Sequence, residues 1–539
     1  MARFASHGGP EMIDYAAMEI VRAIFFNLPA LATAFGAAVI VAIRFGLPAA
    51  RGLKLLLAAL VVALLLHFVV FLNATLAYVI YPYEGKTVAE GVTLHNSMQY
   101  LHGEQPYHSP DELPFRSLVY PPAHEMILAG FLGIVGPSLY AARIFSLLCV
   151  LGAALTVGLT VRRHTKSRPA SFFGGMLVFC CYGLTGQWLE QVRSDALMLF
   201  FLALGTFLAD RAVSRNRMPI GGLIVLLLAV FTKQAAIFAP AAVALFLWFR
   251  SRRTAIIWGA SFAACALAIF VAMEAWSGGW FSFYTIKVPF SAGVEFSKID
   301  LASTFFGSVW ILLWGALAVA IPGEARKRAG LGEASPGIAL WAWTLGGALV
   351  FSFAQSLKWG AALNAFVPLI PALAALSGIS LDALMRRFKE PGWGRIAIVA
   401  AALAQVAMIS YRPTLPSEAG RTAQRRIAQW VRAARGDVFV SVFSSQVYLN
   451  GKEYFGDDVT IGDLVRAGRW RGGLLIEKIR SGGFSAMILR PNLEPPDFAA
   501  AVRERYVPAE RIPTPGPLSN WGHMEVYVPK DAPWKPAEK

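Results

Sequence analysis

Residues 55–80 read LLLAALVVALLLHFVVFLNATLAYVI and run directly into Tyr81-Pro82-Tyr83-Glu84-Gly85-Lys86. A helix rising about 1.5 Å per residue crosses a hydrocarbon core in roughly 20 residues, so this run is long enough to span a membrane. The polar segment after it is then the first water-facing loop. Comparable apolar runs lie at residues 23–43, 170–186, 196–212, 255–273, 301–321, 337–353, 361–384 and 396–411. Two further stretches, 121–161 and 219–249, are too long for one comfortable helix and short for two. The count predicts an all-α polytopic membrane protein with about 11–13 crossings.

Composition agrees. Of 539 residues, 56% are hydrophobic and only 15% are charged, against roughly 25% charged in soluble domains. The 49 Lys and Arg exceed the 33 Asp and Glu by 16, a balance that would suit nucleic acid if the bases shared one face. They fall instead in short runs between apolar segments, as cytoplasmic loops do, so no nucleic-acid partner is expected. Those runs are Arg44, Arg51 and Lys54; Arg162, Arg163, Lys166 and Arg168; Arg250, Arg252 and Arg253; Arg326-Lys327-Arg328; and Arg386, Arg387 and Lys389.

Alternation then puts loops 81–120, 187–194, 275–300 and 355–360 outside, with everything after residue 411. The same rule prefers an odd number of crossings in 121–161. Cys149, Cys180, Cys181 and Cys265 all sit in apolar runs, which implies neither a disulfide scaffold nor a zinc site. The run 23–43 ends in a basic loop without a small-residue cleavage site, so it reads as a membrane segment and not as a signal peptide.

Three parts follow. Residues 1–54 form an N-terminal segment with one additional apolar helix, 55–411 a transmembrane domain with the long first external loop 81–120, and 412–539 a small extracytoplasmic α/β domain. Within the last part, Ile427, Trp430, Val431 and Ala434 share one face of a helix that also carries Arg421, Arg425, Arg426, Arg432 and Arg435. Packing is the favoured reading of that face, with contact to anionic headgroups the alternative. Strands are expected at 438–442, 486–489 and 524–528, with helices at 461–467 and 474–480. Gly482-Gly483 is not followed by a helix and reads as a turn, not a phosphate loop.

A 40-residue loop between helices is too long to be a mere connection. Glu84 stands a few residues beyond a helix end, where partial desolvation raises a carboxylate toward a useful base; Glu90, Glu104, Asp111 and Glu112 are weaker candidates. Asp195 stands at the outer end of another membrane helix, either as a site carboxylate or as a helix cap beside Arg193. Lys233 lies inside an apolar stretch and needs water or a partner: a lipid phosphate, or a kink that exposes it. His95, His102, His108 and His124 match no metal spacing. Trp276, Trp280, Phe281, Phe283 and Tyr284 suit an interfacial anchor or a lipid or sugar groove.

The order Tyr83-Glu84-Gly85, Gly103-Glu104-Gln105-Pro106-Tyr107, Tyr120-Pro121-Pro122 and Gly136-Pro137-Ser138-Leu139-Tyr140-Ala141-Ala142-Arg143, followed by Arg193-Ser194-Asp195 and Thr232-Lys233-Gln234, resembles the multipass GT-C-type glycosyltransferases of the protein mannosyltransferase and aminoarabinose transferase kind. The resemblance implies an inverting transfer of a sugar from a polyprenyl-phosphate donor to an acceptor hydroxyl of a glycan, lipid or protein. It implies a multi-pass protein of a bacterial-type inner (plasma) membrane, acting at the extracytoplasmic face among membrane lipids. No cofactor is expected, and the sequence assigns no residues to a metal. An acid of the first external loop serves such enzymes as general base, and Glu84 occupies that place. The family often has an Asp-Glu pair where this chain has Tyr83 before Glu84, which makes Asp195 the candidate second carboxylate. Lys233, Arg143, Tyr83 and Tyr120 are candidates for substrate contacts, with Lys233 and Arg143 meeting the phosphate or else serving the structure. The competing class is a lipid or glycan flippase or transporter, which would favour repeated halves and short external loops.

Overall fold

The structure is a computed structural model that describes residues 15–86, 89–115, 120–291, 293–320, 335–388, 390–470, 472–491, 495–514, 522–531, 533–534 and 536. Among these, seven helices are long and apolar enough to cross a membrane: Ala49–Val79, Leu139–Thr165, Ser194–Val213, Arg252–Trp276, Phe296–Ala320, Pro336–Ser356 and Leu363–Arg387. An eighth candidate is the pair Ile20–Phe26 and Leu28–Arg44, bent by 66°. The sequence count of 11–13 is higher because several apolar runs fold as shorter helices, among them Ala123–Val135, Ile220–Thr232, Gln234–Arg250 and Trp393–Met408.

Local chemistry explains the breaks. The 121–161 stretch contains Gly136-Pro137-Ser138: Gly136 takes a φ of +93° as the C-cap of Ala123–Val135, and Ser138 Oγ accepts from Ala141 N–H to start the next helix. One helix long enough to cross, Leu139–Thr165, and one of 13 residues, Ala123–Val135, result. In the 219–249 stretch the chain goes extended at Lys233, with φ −157° and ψ 127°. The predicted kink is therefore real. Helices Leu139–Thr165 and Arg168–Cys180 pack at glycine level, since a Cβ on Gly175 would stand 3.1 Å from Ala154 O, the close approach that small residues allow between membrane helices.

The two ends of the bundle differ in character. At one end His164 Nε2 and Asp210 Oδ2 lie 2.7 Å apart, Trp341 Nε1 donates to the same carboxylate, and Arg386 reaches Thr165 O. Arg162, Arg163, Lys166 and Arg211 gather there as well; the expected basic loop at 326–328 lies outside the described residues, as does Lys389. The other end carries the first loop and the C-terminal lobe.

That lobe is a four-stranded sheet: β1 (Val438–Val440), β2 (Ala486–Leu489), β3 (Tyr506–Pro513) and β4 (His523–Pro529), in spatial order β1-β2-β4-β3. β1 and β2 run parallel, while β4 is antiparallel to both its neighbours. The sequence reading has β1, β2 and β4 but not β3, whose two prolines and alternating half-burial disguise it. Helix Glu418–Ala433 lays Ile427, Trp430 and Val431 on one side of the sheet against Val440, Ile488 and Val526. Its apolar face is thus spent on packing, the first of the two readings. Phe439, Met487 and Leu489 face the other side, toward Ile479 and Phe498.

Candidate active site

The polypeptide after helix Ala49–Val79 turns sharply, and Arg143 fixes the turn. Its NH1 donates to Tyr78 O and Tyr81 O, each at 2.6 Å, and its NH2 to Tyr83 O at 2.6 Å. The remaining two N–H groups, on Nε and NH2, bind Glu90 Oε1 and Oε2 at 2.9 and 2.7 Å. All five donors of the guanidinium are committed to the protein. Of the two roles the sequence left for Arg143, substrate contact and structure, the geometry gives it the second.

Glu90 completes the clamp by accepting from Gly85 N–H and Val192 N–H. Burial alone would push its carboxyl up, but Arg143 and these N–H groups hold it below the ordinary value. Lys86 is tied down likewise, with Nζ donating to Glu190 Oε1 at 2.6 Å and to Tyr182 Oη and Gln187 O at 3.0 Å each. Burial drives the ammonium down against the opposing pull of Glu190.

Glu84 is held by this framework yet is not paired with a cation. Its side chain is fully buried. Oε1 accepts from Ser445 N–H at 2.6 Å, and its own backbone carbonyl accepts from Gln424 Nε2 at 2.8 Å. Oε2 has no hydrogen-bond partner among the described residues. Burial pushes this carboxyl up to about 8; the Ser445 hydrogen bonds pull it back, Glu90 raises it and Arg143 lowers it. An acid shifted this far, with one oxygen free, has the properties of a general base working near neutral pH. A cavity of about 30 Å³ adjoins the next residue, Gly85, and is lined also by Tyr81, Gln424 and Phe443, room for about one water.

The second cluster sits at the start of helix Ser194–Val213. Lys233 Nζ donates to Asp195 Oδ1 at 2.7 Å, and Asn364 Nδ2 to the same oxygen at 3.2 Å. Arg193 Nε reaches Asp195 Oδ2 at 3.4 Å while its guanidinium lies 4.6 Å from the centre of the Trp188 ring. Lys233 faces the Tyr120 ring at 5.0 Å. It is buried, so the kink does not expose it. Among the described residues a single hydrogen bond, to Asp195, occupies its ammonium, against a capacity of three.

The two clusters share one strut, residues 190–195: Glu190 holds Lys86, Gln191 O accepts from Ser146 Oγ, Val192 N–H binds Glu90, and Arg193 and Asp195 form the second cluster. Asp195 is engaged by cations, whereas the carboxylate that bears electrostatically on Glu84 is Glu90. Tyr83 contributes its carbonyl to Arg143 and its ring to Tyr81 at 5.6 Å. Tyr120 accepts from Tyr107 Oη at its carbonyl. The aromatic cluster closes on the loop too, with Phe281 edge-on to Tyr107 at 5.4 Å and Trp276 beside Tyr100.

Glu190, Asn364, Gln424 and Ser445 escaped the sequence reading, and Lys86 and Glu90 were underrated by it. None sits in a motif that announces it, and the lobe residues are more than 300 positions from Glu84. Among the described residues no group of three His, Cys, Asp or Glu side chains gathers as a metal site.

A family model for dolichyl-phosphate-mannose-protein mannosyltransferase matches residues 119–276, a span that holds Tyr120, Arg143, Asp195 and Lys233 but not Glu84. No curated protein matches the chain. Among solved structures, the fold resembles ArnT from Cupriavidus metallidurans bound to undecaprenyl phosphate, with 14% identity, 87% of this chain and 97% of that one covered, and a TM-score of 0.56. The apo state of the same protein gives 15% identity, coverage of 89% and 98%, and a TM-score of 0.53.

Proposed function

From a chain that is GT-C-like in fold and in its family-model match, we propose an inverting glycosyltransferase that moves a sugar from a polyprenyl-phosphate donor to an acceptor hydroxyl at the extracytoplasmic face. The observation that carries the reading is Glu84: a buried acid in the first loop, with one unpaired oxygen and a carboxyl pushed up to about 8. In this reading Glu84 Oε2 takes the proton of the acceptor hydroxyl as its oxygen attacks the anomeric carbon. The bond from that carbon to the phosphate oxygen breaks on the opposite face, which inverts the centre. The lipid phosphate leaves with the bonding electrons and needs no proton, because its own pKa is low.

A leaving phosphate needs compensating charge in a site that excludes water. Lys233 suits that task, since its ammonium is buried and its donors are only partly used. Asp195 and Asn364 hold it in place, and Tyr120 walls its other side. The undecaprenyl phosphate of the ArnT structure is the donor class that this assignment borrows. Tyr83 shapes the turn that carries Glu84. The contact between the first loop and the C-terminal lobe supports one shared face for both, and the basic loops of the opposite end support the extracytoplasmic reading of that face.

The test is transfer of a radiolabelled sugar from a panel of polyprenyl phosphates to a membrane extract by purified protein. Transfer with inverted configuration supports the reading. Donor movement across vesicle membranes without any transfer overturns it in favour of a flippase.

A further inference from the structure

Glu84 and Ser445 are 361 residues apart in the chain, yet they make one of the shortest contacts of the site, at 2.6 Å. We infer that Ser445 is a positioning residue for Glu84: its backbone N–H holds Oε1, leaves Oε2 as the oxygen presented to substrate, and so makes the C-terminal lobe part of the catalytic apparatus. The inference rests on the reading of Glu84 as the base.

Four observations converge on this contact. Ser445 opens the short helix Ser445–Tyr448, where an N–H has no partner inside the helix; it is spent on Glu84. Gln424, from helix Glu418–Ala433 of the same lobe, fixes the Glu84 backbone by its carbonyl. Gly91 is where the first loop and the lobe meet, since a Cβ there would stand 2.4 Å from Glu84 Oε1, Ser444 Oγ and Ser445 N alike. Only glycine fits. Phe443, two residues before Ser445, holds a φ of +67°, a left-handed conformation that is costly for an aromatic residue and persists where its surroundings impose it.

The fit has a kinetic consequence. Glu84 is fully buried, with the lobe packed against it. An acceptor reaches the carboxyl only when a covering segment moves; a lift of the 443–445 turn would uncover it, and the return of that turn would restore the hydrogen bond that aims the carboxyl. The charged groups around Glu84 are Glu90, which raises its carboxyl, and Arg143, which lowers it, with the Lys86–Glu190 pair beyond. Against it the lobe brings only neutral groups among the described residues, Gln424, Ser444 and Ser445.

The test uses the full-length protein and two variants that attack the contact from opposite sides. Ser445→Pro deletes the N–H at a helix position that tolerates proline, although Ser444 before it is helical, a conformation that a following proline disfavours. Gly91→Ala wedges the two segments apart while leaving every residue of the lobe unchanged. The Glu84 carboxyl band, identified as the one missing from Glu84→Gln, is followed against pH by infrared difference spectroscopy.

Both variants are expected to move the band to higher frequency and its midpoint above the wild-type value of about 8. Sugar transfer falls about ten- to a hundredfold with the donor KM unchanged. A folded variant of either kind that keeps the wild-type band, midpoint and kcat overturns the inference while leaving Glu84 as base. Undiminished transfer by Glu84→Gln removes the base itself and reduces Ser445 to a structural contact, even if the infrared shifts occur.

Discussion

Arg143 and Lys233 are both cations buried near the same end of the bundle, and they are used in opposite ways. Arg143 donates five hydrogen bonds to the protein and has none left. Among the described residues Lys233 donates one, to Asp195, and its ammonium also faces an aromatic ring. Charge burial costs several kcal/mol unless it is compensated. A saturated network answers that cost with structure alone, whereas an unsaturated one keeps capacity for a ligand. Glu84 and Glu90 divide in the same way: Glu90 takes four hydrogen bonds from Arg143, Gly85 and Val192, and Glu84 keeps an oxygen free.

Substitutions in the saturated network should damage folding, and those in the unsaturated one should damage turnover. Arg143→Leu strands Glu90 as an unpaired buried charge and frees three backbone carbonyls. A loss of about 3–5 kcal/mol is expected, read as a large fall in the yield and melting temperature of detergent-purified protein; a normally folded Arg143→Leu would erase the distinction.

Glu84→Gln should retain less than about a hundredth of transfer while remaining inserted. Its stability sharpens the comparison. The Glu84 carboxyl lies above its ordinary value of 4.5, so its proton stabilises the fold, fully at pH below 4.5, with that contribution lost as pH rises through about 8. Gln is neutral throughout. Above pH 8 the wild type carries the buried charge, so the variant is expected to melt higher; equal or lower melting there would mean that folding does not raise the Glu84 carboxyl above its ordinary value of 4.5.

Lys233→Met removes a charge-assisted contact, so affinity for polyprenyl phosphate should fall about ten- to a hundredfold, measured by binding of the lipid without any sugar. Unaltered affinity would move Lys233 into the structural class. Asp195→Asn keeps a hydrogen-bond acceptor for the ammonium and should weaken donor binding less than Lys233→Met; the reverse order would make Asp195 the more important partner. Arg480→Ala, in an exposed pair 3.6 Å from Glu504, should shift stability by at most about 1 kcal/mol, a baseline for the others in the same melting assay.

Hydropathy and charge patterning carried the membrane architecture, because a bilayer imposes a length on every crossing. They were weaker where a run is interrupted from within. Gly136-Pro137-Ser138 marks its own break, but the bend between Phe26 and Leu28 rests on packing and left only Asn27 and Pro29 as signs. The site residues of the sequence reading came from a carboxylate or an ammonium standing where charge is expensive, which picks out Glu84, Asp195 and Lys233, and from the family resemblance, which adds Arg143. It does not say which are saturated. That depends on Glu90, Glu190 and Asn364, ordinary residues whose partners lie 53, 104 and 169 positions away. Ser445 was beyond sequence reasoning altogether, since the contact that holds Oε1 is a backbone N–H, which any residue but proline supplies.

The most direct measurement is the pH dependence of sugar transfer by the wild type and Glu84→Gln, with one labelled polyprenyl-phosphate donor at saturating concentration. Wild-type turnover that falls as pH drops through about 8, together with a variant inactive across the range, is what the account predicts. A variant that transfers at the wild-type rate, or a wild type whose acid limb lies at the ordinary carboxylate value of 4.5, would contradict it.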